Sequence, residues 1–252
     1  MAGTNAGQRV VNYLARLQIS APNTPMVDAL KVFFEYEPKD PYREHARKLD
    51  LLLSQIDIAV EGLRRDGFPD HLYVRQVETA RNAFTASALN AQWSHVTGQV
   101  TPEVKLAFDW IAYALPDQKD DVDKVALASL LEALNDIAND ELLDSLPLAW
   151  KELVERHISA ILGALSEQPI TGSGPVERAV KDLVTDLVVH GDELEAAPVA
   201  DEAKAYLKKA LGVIGKTVDV AVKSEKILTS IEKLYKLASD KGPLLLELFK
   251  TT

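Results

Sequence analysis

Cysteine is absent from the 252-residue sequence, which excludes disulfide scaffolds, zinc–thiolate sites and thiol nucleophiles. Long apolar runs are lacking too. No stretch of about 18 uncharged apolar residues occurs, so the sequence predicts no transmembrane helix. The first residues show no basic segment followed by an apolar one, and we expect no secretory signal. These absences predict a soluble, cytoplasmic protein.

Basic residues are fewer than acidic residues in this chain. The 28 Lys and Arg residues stand against 38 Asp and Glu residues, which gives a formal net charge of −10 at pH 7. This balance disfavours binding to nucleic acid through bulk charge. The acidic excess lies in residues 99–197, whereas every basic residue after position 197 is a lysine. The chain therefore has an acidic middle and a lysine-rich end.

Strand patterns are missing, because no run of alternating β-branched residues is bounded by turn residues. Apolar residues instead recur three and four positions apart. This spacing predicts an all-α fold, a multi-helix bundle of about nine helices with a long C-terminal amphipathic helix. Helix starts are indicated where a capping residue precedes proline, at Thr24-Pro25 and at Asp40-Pro41. The second of these opens a helix that we expect to end near Arg65.

Further helices are predicted along the rest of the chain. They cover residues 70–90, 101–115, 120–138 and 145–165, with Ser145 as an N-cap and residues 93–98 less regular. Ser173 is predicted to cap a helix over 175–190, and Gly191 to end it before an acidic loop at 192–198. Beyond residue 199 the pattern predicts one very long helix, or two, up to residue 240.

The best break in the chain is the proline- and glycine-rich sequence at 169–175. It predicts an N-terminal helical bundle over residues 1–168 and a C-terminal helical region over residues 175–252. We expect the second region to pack on the first as one compact unit. At this length about three quarters of the surface of the unfolded chain can be buried, so no disulfide or metal is needed for stability.

Arginine and histidine residues provide one candidate for catalysis. Arg64 or Arg65 followed by His71 resembles the arginine–histidine pairing of helical ribonucleases of the HEPN class, in which the pair lies on one continuous helix. Gly67 and Pro69 interrupt the chain here, so no residue role is carried over. Residues 43–81 contain six of the ten arginines, but acidic residues match them, which favours ion-paired helix surfaces over a phosphate site.

The remaining polar clusters favour structural roles. His157 lies beside the apolar face of its helix, as a satisfied core histidine does. Asp66, Asp70 and His71 flank a turn, and the carboxylates at 117–123 lie at a helix start that their charge stabilises. Glycine-rich phosphate loops and the Gly-x-Ser-x-Gly motif are absent. We therefore assign no catalytic, cofactor-binding or metal-binding residue, and we expect no cofactor.

The lysine-rich end is the feature with the most functional promise. Residues 204–241 hold nine lysines and four acidic residues over an apolar seam. Three interpretations remain open. The helix docks on the acidic region of its own chain, it contacts another copy or another protein, or it lies on an anionic membrane as a peripheral element.

The sequence favours a non-enzymatic protein–protein interaction module, such as a scaffold, an adaptor or a regulatory subunit. Its partner would be another protein or a second copy of itself. One alternative is a membrane-associating effector that acts through the lysine-rich helix. A third is a helical nuclease-like enzyme whose site is assembled from distant residues. The stretch from Leu146 to Val188 is similar to segments of bacterial helical proteins, and this resemblance implies a prokaryotic origin.

Overall fold

The chain is all-α, as predicted. The computed structural model describes residues 5–117, 124–221 and 236, and these residues form eleven α-helices and four short 3-10 helices. Apart from one isolated bridge between Pro25 and Gln92, the described residues contain no β-structure. The chain divides into two compact units: unit 1 is Met1–Gln118 with Pro169–Gly172, and unit 2 is Lys119–Gln168 with Ser173–Thr252.

The units differ in extent from the predicted regions 1–168 and 175–252, and that division into domains stays a prediction. In unit 1 the helices are α1 (Ala6–Leu14), α2 (Met26–Phe34), α3 (Pro41–Arg65), α4 (Val74–Ala83), α5 (Ser94–Gln99) and α6 (Pro102–Ala114). In unit 2 they are α7 (Lys124–Ala138), α8 (Leu148–Thr171), α9 (Gly174–Val189), α10 (Gly191–Ala196) and α11 (Asp201–Ala221), the last residues of α8 being counted with unit 1.

Unit 1 is built around a buried aromatic cluster. The ring of Trp93 lies 5.4 Å from that of Phe33, and Phe33 also packs on Tyr13 and Phe84. Trp93 is fully buried, and its indole Nε1 donates a hydrogen bond of 3.0 Å to the carbonyl of Leu17. The cluster therefore buries large apolar surfaces without leaving the indole N–H unpaired.

Unit 2 has a separate core with a second buried tryptophan. Trp150 on α8 is fully buried and donates from Nε1 to the carbonyl of Leu194 at 3.1 Å. Tyr206 on α11 is buried at 2% exposure and donates to the carbonyl of Ile137 at 3.0 Å. These two bonds connect α8 to α10 and α11 to α7 through side chains that are otherwise surrounded by apolar residues.

One predicted N-cap is confirmed by its side-chain hydrogen bond, and another is wrong. Asp40 caps α3 as predicted, because its side chain accepts a bond from the Arg43 backbone N–H at 3.3 Å. Thr24 does not cap α2, whose N-cap is Pro25. The carbonyl of Thr24 instead accepts a bond from the Trp93 backbone N–H at 2.8 Å. A tertiary bond holds this segment extended, so the helix starts later than the local signal indicates.

Other predicted helix boundaries differ from those in the structure. The predicted helix 70–90 is three pieces, Asp70–Leu72, α4 and Ala86–Asn90, and the segment predicted to be less regular contains α5. Ser145 ends a 3-10 helix and does not cap α8, since its hydroxyl donates to the carbonyl of Leu142. Residues predicted as an acidic loop form α10, whose first turn carries Asp192 and Glu193 where the helix dipole favours them.

The predicted break at 169–175 is much shorter in the structure. Helix α8 continues through Pro169 to Thr171, and it ends at Gly172, whose φ of 73° is readily adopted by glycine. Ile170 is 1% exposed within the core of unit 1, and its burial favours continuing the helix past the proline. Helix α9 then starts at Gly174, with Ser173 at the N-cap position but with no capping bond from its side chain. The prediction that Gly191 ends this helix is wrong, because His190 is its C-cap and Gly191 is the first residue of α10.

Candidate functional site

Helix α6 of unit 1 starts with groups that suit a helix N-terminus. Pro102 occupies the first turn, and Thr101 precedes it with an extended backbone. Hydrogen bonds from the Thr101 hydroxyl and from the backbone N–H of Glu103 hold the pKa of the Glu103 carboxyl below its usual range. The carboxylate is therefore ionised at neutral pH, and its charge complements the helix dipole.

The inner side of α6 is fixed against α1 at very short range. Val104, Phe108 and Ile111 are buried on this side. A Cβ at Gly7 of α1 would lie 2.9 Å from the backbone of Ala112, which is closer than a side chain can approach. Glycine at this position lets the two helix backbones touch, so α6 has little freedom to rotate.

Asn5 fixes the C-terminal end of α6. Its Oδ1 accepts a bond of 2.9 Å from the Gln8 backbone N–H and caps α1. Its Nδ2 donates to the carbonyl of Ala112 at 2.8 Å and to that of Leu115 at 3.1 Å. These are carbonyls that a helix leaves unpaired at its end. Asn5, which is 2% exposed, thus pairs a backbone N–H at the start of α1 and two carbonyls at the end of α6.

The outer side of α6 is apolar although it faces solvent. Leu106 is 69% exposed and Tyr113 is 90% exposed. They are seven residues apart, which is about two helical turns, so they lie on one line opposite the buried stripe. Asp109 and Trp110 lie between them, and the Trp110 ring is half-buried. We call Leu106, Asp109, Trp110 and Tyr113 the α6 face.

Trp110 is held in place from beneath. Its ring lies 5.4 Å from that of Phe68 in an edge-on arrangement and 6.3 Å from that of Tyr73 in a stacked one. Ring pairs of this kind add about 0.5–1.5 kcal/mol beyond the area that they bury. The half-exposed indole is therefore a rigid part of the α6 face, with its conformation set before anything binds.

A pocket of about 290 Å³ lies in unit 1 beside the C-terminal end of α6. Its apolar wall includes Ile58, Leu115 and Pro116, and its charged residues are Glu61 and Arg65. Ligand pockets begin at about 300 Å³, so this one suits a single large side chain or a very small ligand. Leu115 follows Tyr113 by two residues, which puts the pocket next to the α6 face in the chain.

The arginines near the predicted turn are engaged in ion pairs. Arg64 binds Asp70 through two bonds, of 3.1 Å from Nε and 3.0 Å from Nη2. The Tyr73 hydroxyl donates to the same carboxylate at 2.8 Å. The bonds from Arg64 and Tyr73 hold the pKa of Asp70 below its usual range. This turn is a closed structural unit, as the sequence predicts.

The arginine–histidine pairing of the helical ribonucleases is not formed on one helix here. Arg64 and Arg65 belong to α3, whereas His71 lies in a separate 3-10 helix after the turn. Arg81 pairs with Asp57 and Glu78. Arg64, Arg65 and Arg81, three of the six arginines of residues 43–81, therefore contact carboxylates.

His157 in unit 2 is a satisfied buried histidine, as predicted. It is 4% exposed, and its Nε2 lies 2.9 Å from Oδ2 of Asp186. Arg156 contacts the same oxygen at 3.0 Å. The apolar cavity that His157 lines has a volume of only about 10 Å³, which is about the least that one water molecule needs.

A buried tyrosine–histidine pair was not singled out by the sequence. The Tyr36 hydroxyl and Nδ1 of His45 are 2.5 Å apart, and His45 is fully buried. The Lys48 ammonium lies 4.3 Å from the centre of the Tyr36 ring. Burial is the largest cause and lowers the pKa of His45. A backbone hydrogen bond with Val27 and the charge of Glu44 oppose it, whereas Lys31 and Lys48 lower the pKa further. The imidazole is therefore neutral at physiological pH.

Removing the titration of His45 is expected to reduce acid sensitivity. The folded pKa of His45 lies below the unfolded one, so its stabilising contribution is present above about pH 6.5 and declines as the pH falls towards the folded pKa. His45→Gln keeps a polar partner for Tyr36 but takes up no proton. Urea midpoints between about pH 8 and pH 5 are expected to fall less in His45→Gln than in the wild type. Equal slopes would contradict the prediction.

The lysine-rich helix is described as far as Ala221. Its apolar stripe of Ala203, Leu207 and Ile214 is buried in the core of unit 2. Lys209 reaches Asp140 at 3.4 Å. Helix α11 also passes through Gly212 and Gly215 without a break. The described part thus docks within unit 2, in line with the first of the three interpretations, and the predicted helix beyond residue 221 lies outside the described residues.

Residues 5–117 and 124–221 contain neither a cluster of metal ligands nor a membrane-spanning helix. Within these ranges no three histidine or carboxylate side chains converge as metal ligands would. No helix described in the structure is long and apolar enough to cross a membrane. Of the acidic cluster at 117–123, Asp117 is exposed, and the other members lie outside the described residues.

Comparison with known proteins adds no family to this description. The chain matches no family model, no curated protein and no solved structure. Function is consequently inferred from the geometry of unit 1, and above all from the α6 face.

Proposed function

We propose that this chain is a helical protein–protein interaction module that binds through the α6 face of unit 1. The observation that carries the proposal is the pair of strongly exposed apolar side chains, Leu106 and Tyr113, on one line of a rigid helix. Single exposed apolar residues are common on protein surfaces, whereas an aligned set with a half-exposed tryptophan is typical of a binding surface. The partner is another protein or a second copy of the chain.

The residue types of the α6 face support binding energetically. Burying one leucine-sized side chain contributes about 1.5–3 kcal/mol. Tyrosine and tryptophan are enriched among the residues that dominate interface energies, because they bring a large area with few rotatable bonds. Since Trp110 is already held by Phe68 and Tyr73, a partner would not have to order it.

The pocket beside the end of α6 supports the same proposal. Anchoring side chains in interfaces commonly fill pockets on the other partner. The apolar wall of the pocket would hold the apolar part of an anchoring side chain of the partner. Arg65 or Glu61 would pair with the polar end of that side chain.

Site-specific photo-cross-linking in the native cells tests this function. A photoreactive phenylalanine analogue at position 113 is expected to give one discrete cross-linked species, of a partner protein or of a second copy. The Leu106→Ser substitution in the same chain is expected to reduce the yield by about tenfold, because it removes half of the apolar line.

The matched control carries the same analogue at Val189 of unit 2, an apolar residue that is also largely exposed, at 65%. It is expected to give no discrete species. Equal products from positions 113 and 189, or a product at position 113 that is insensitive to Leu106→Ser, would show that the α6 face is not a specific binding surface.

The membrane-associating alternative stays a prediction about the lysine-rich end. Within the described part of α11 the apolar stripe is buried in unit 2, so membrane binding by that part would require it to leave the core. Flotation with anionic and neutral vesicles at low and high salt tests it. Salt-sensitive flotation with anionic vesicles alone would favour the alternative over protein binding.

A further inference from the structure

The pocket of about 290 Å³ in unit 1 lies on one face of α3. Four residues of this helix line it, Ile58, Glu61, Gly62 and Arg65. At about 100° per residue, they fall within about 100° of one another around the helix axis. A Cβ at Gly62 would lie 2.7 Å from Cδ2 of Leu115, so Leu115 packs where a side chain at position 62 would stand. Glycine thus leaves a depression in this face, and Leu115 gives it an apolar base.

The polar groups available to a ligand in this pocket are charged and exposed. Asn5 also lines the pocket, but its Nδ2 and Oδ1 are already bonded to backbone atoms. The charged residues are Glu61 and Arg65, and both are exposed. A ligand would therefore bury its apolar part in the pocket and keep its polar part beside these two side chains.

The two charges are not paired with each other. Glu61 forms no ion pair with any residue of the described part of the chain. Arg65 contacts the neighbouring Asp66 through Nε at 3.5 Å, and its side chain is 72% exposed. Side chains four residues apart on a helix start from Cβ atoms about 5–6 Å apart, so they can contact one small molecule together. A ligand at this place would meet one negative and one positive charge.

This pair of charges favours a zwitterion over a simple ion. A cation that is attracted by Glu61 is repelled by Arg65, and an anion meets the opposite combination. A zwitterion gains from both residues if its ammonium lies at Glu61 and its carboxylate at Arg65. An α-amino acid carries these two groups on one carbon atom, beside a side chain that can enter an apolar pocket. The volume is close to the lower limit of about 300 Å³ for ligand pockets, which suits so small a molecule.

We infer that this pocket binds a free amino acid with an apolar side chain. The ammonium of the ligand pairs with Glu61, its carboxylate accepts hydrogen bonds from Arg65, and its side chain packs on Ile58 and Leu115. The inference goes beyond the proposed function, because the ligand is a small molecule and the α6 face is not part of its site. A bound amino acid would occupy the place of a partner's anchoring side chain.

Titration of the full-length protein with L-leucine, followed by the NMR signals of the backbone amides, tests the inference. Saturable shifts are expected at Ile58, Arg65 and Leu115, with a dissociation constant on the order of 1 mM, because exposed ion pairs contribute little. N-acetyl-leucine lacks the ammonium and leucine amide lacks the carboxylate, so each is expected to bind about fivefold more weakly. Glycine lacks the apolar side chain and is expected to bind at least about tenfold more weakly.

Variants of the two charged residues connect each part of the ligand to one side chain. Glu61→Gln and Arg65→Gln preserve most of the side chain, and each is expected to weaken leucine binding about fivefold. The effect of Arg65→Gln is expected to disappear with leucine amide, which has no carboxylate to lose. Asp50→Asn removes a charge from an exposed residue of α3 that does not line the pocket. It is the matched control and is expected to leave leucine binding unchanged.

Two results would overturn the inference, and neither is a failure of the proposed function. Leucine that produces no saturable shift at the lining residues would exclude an amino acid as the ligand. N-acetyl-leucine or leucine amide that binds as tightly as leucine would show that the pocket does not select a zwitterion, and would favour a chain terminus of another protein as its occupant. Cross-linking at position 113 tests the α6 face independently of either result.

Discussion

Replacing Trp150 with alanine is expected to destabilise unit 2 by about 3–5 kcal/mol, the range measured when a buried aromatic residue is truncated. The indole is fully buried, and its Nε1 donates to the carbonyl of Leu194. The substitution creates a cavity next to one of about 10 Å³ that the same residue lines, and it leaves the carbonyl unpaired. Since whole domains are stable by about 5–15 kcal/mol, the loss is a large part of the total.

The measurement is urea unfolding followed by circular dichroism. Trp150→Phe is the matched variant, because it keeps an aromatic ring and removes only the hydrogen bond and part of the volume. The free energy of unfolding of Trp150→Phe is expected to lie between those of the wild type and Trp150→Ala. A loss below about 1 kcal/mol in Trp150→Ala, the level typical of an ordinary point mutation, would contradict the described core of unit 2.

Replacing Asn5 with alanine is expected to cost about 2–4 kcal/mol, since three hydrogen bonds at a buried position are lost together. The N-cap bond to Gln8 disappears, and the carbonyls of Ala112 and Leu115 lose their donor. The end of α6 is thereby released from α1. Thermal or urea unfolding measures the loss in unit 1.

Two further variants separate the roles of Asn5. Asn5→Ser can still cap α1 but cannot reach both carbonyls, so its cost is expected to be intermediate. Asn12→Ala makes the same kind of change on an exposed residue of α1, where the side chain accepts one bond from Gln8. It is expected to change stability by less than about 0.5 kcal/mol. Equal losses in Asn5→Ala and Asn12→Ala would show that the buried bonds contribute little.

Local signals in the sequence predicted the helical class and the best-defined boundaries. Asp40-Pro41 fixes the start of α3 because both the cap and the proline act within one turn, and the helix ends at Arg65 as expected. Thr24-Pro25 has the same local signal and does not cap its helix. The difference is a tertiary bond from Trp93, about 70 residues away in the chain. No local pattern carries that information.

The α6 face is visible in the sequence as apolar residues that do not belong to the buried stripe of the helix. Val104, Phe108 and Ile111 follow the expected spacing of a buried stripe, and Leu106 and Tyr113 fall off it on the opposite side. Apolar residues on both sides of a short helix indicate either full burial or a second surface. The choice between them depends on which neighbours pack around α6, and only the fold supplies that.

The pair formed by Tyr36 and His45 had no comparable signal. The two residues are nine positions apart, on opposite sides of the start of α3. Their contact depends on how the chain turns between α2 and α3, with Glu35 in a left-handed conformation at the end of α2. Sequence spacing alone does not place a hydroxyl against an imidazole across such a turn.

The positions of the three tryptophans allow fluorescence to follow the unfolding of each unit separately. Trp93 and Trp110 belong to unit 1, and Trp150 is the tryptophan of unit 2. Indole fluorescence of a Trp150→Phe protein arises from unit 1, and that of a Trp93→Phe, Trp110→Phe protein arises from unit 2. In each variant the fluorescence curve of a denaturant titration follows one unit, whereas circular dichroism follows the helices of both. Coincidence of the two curves within a variant would show that its two units unfold together.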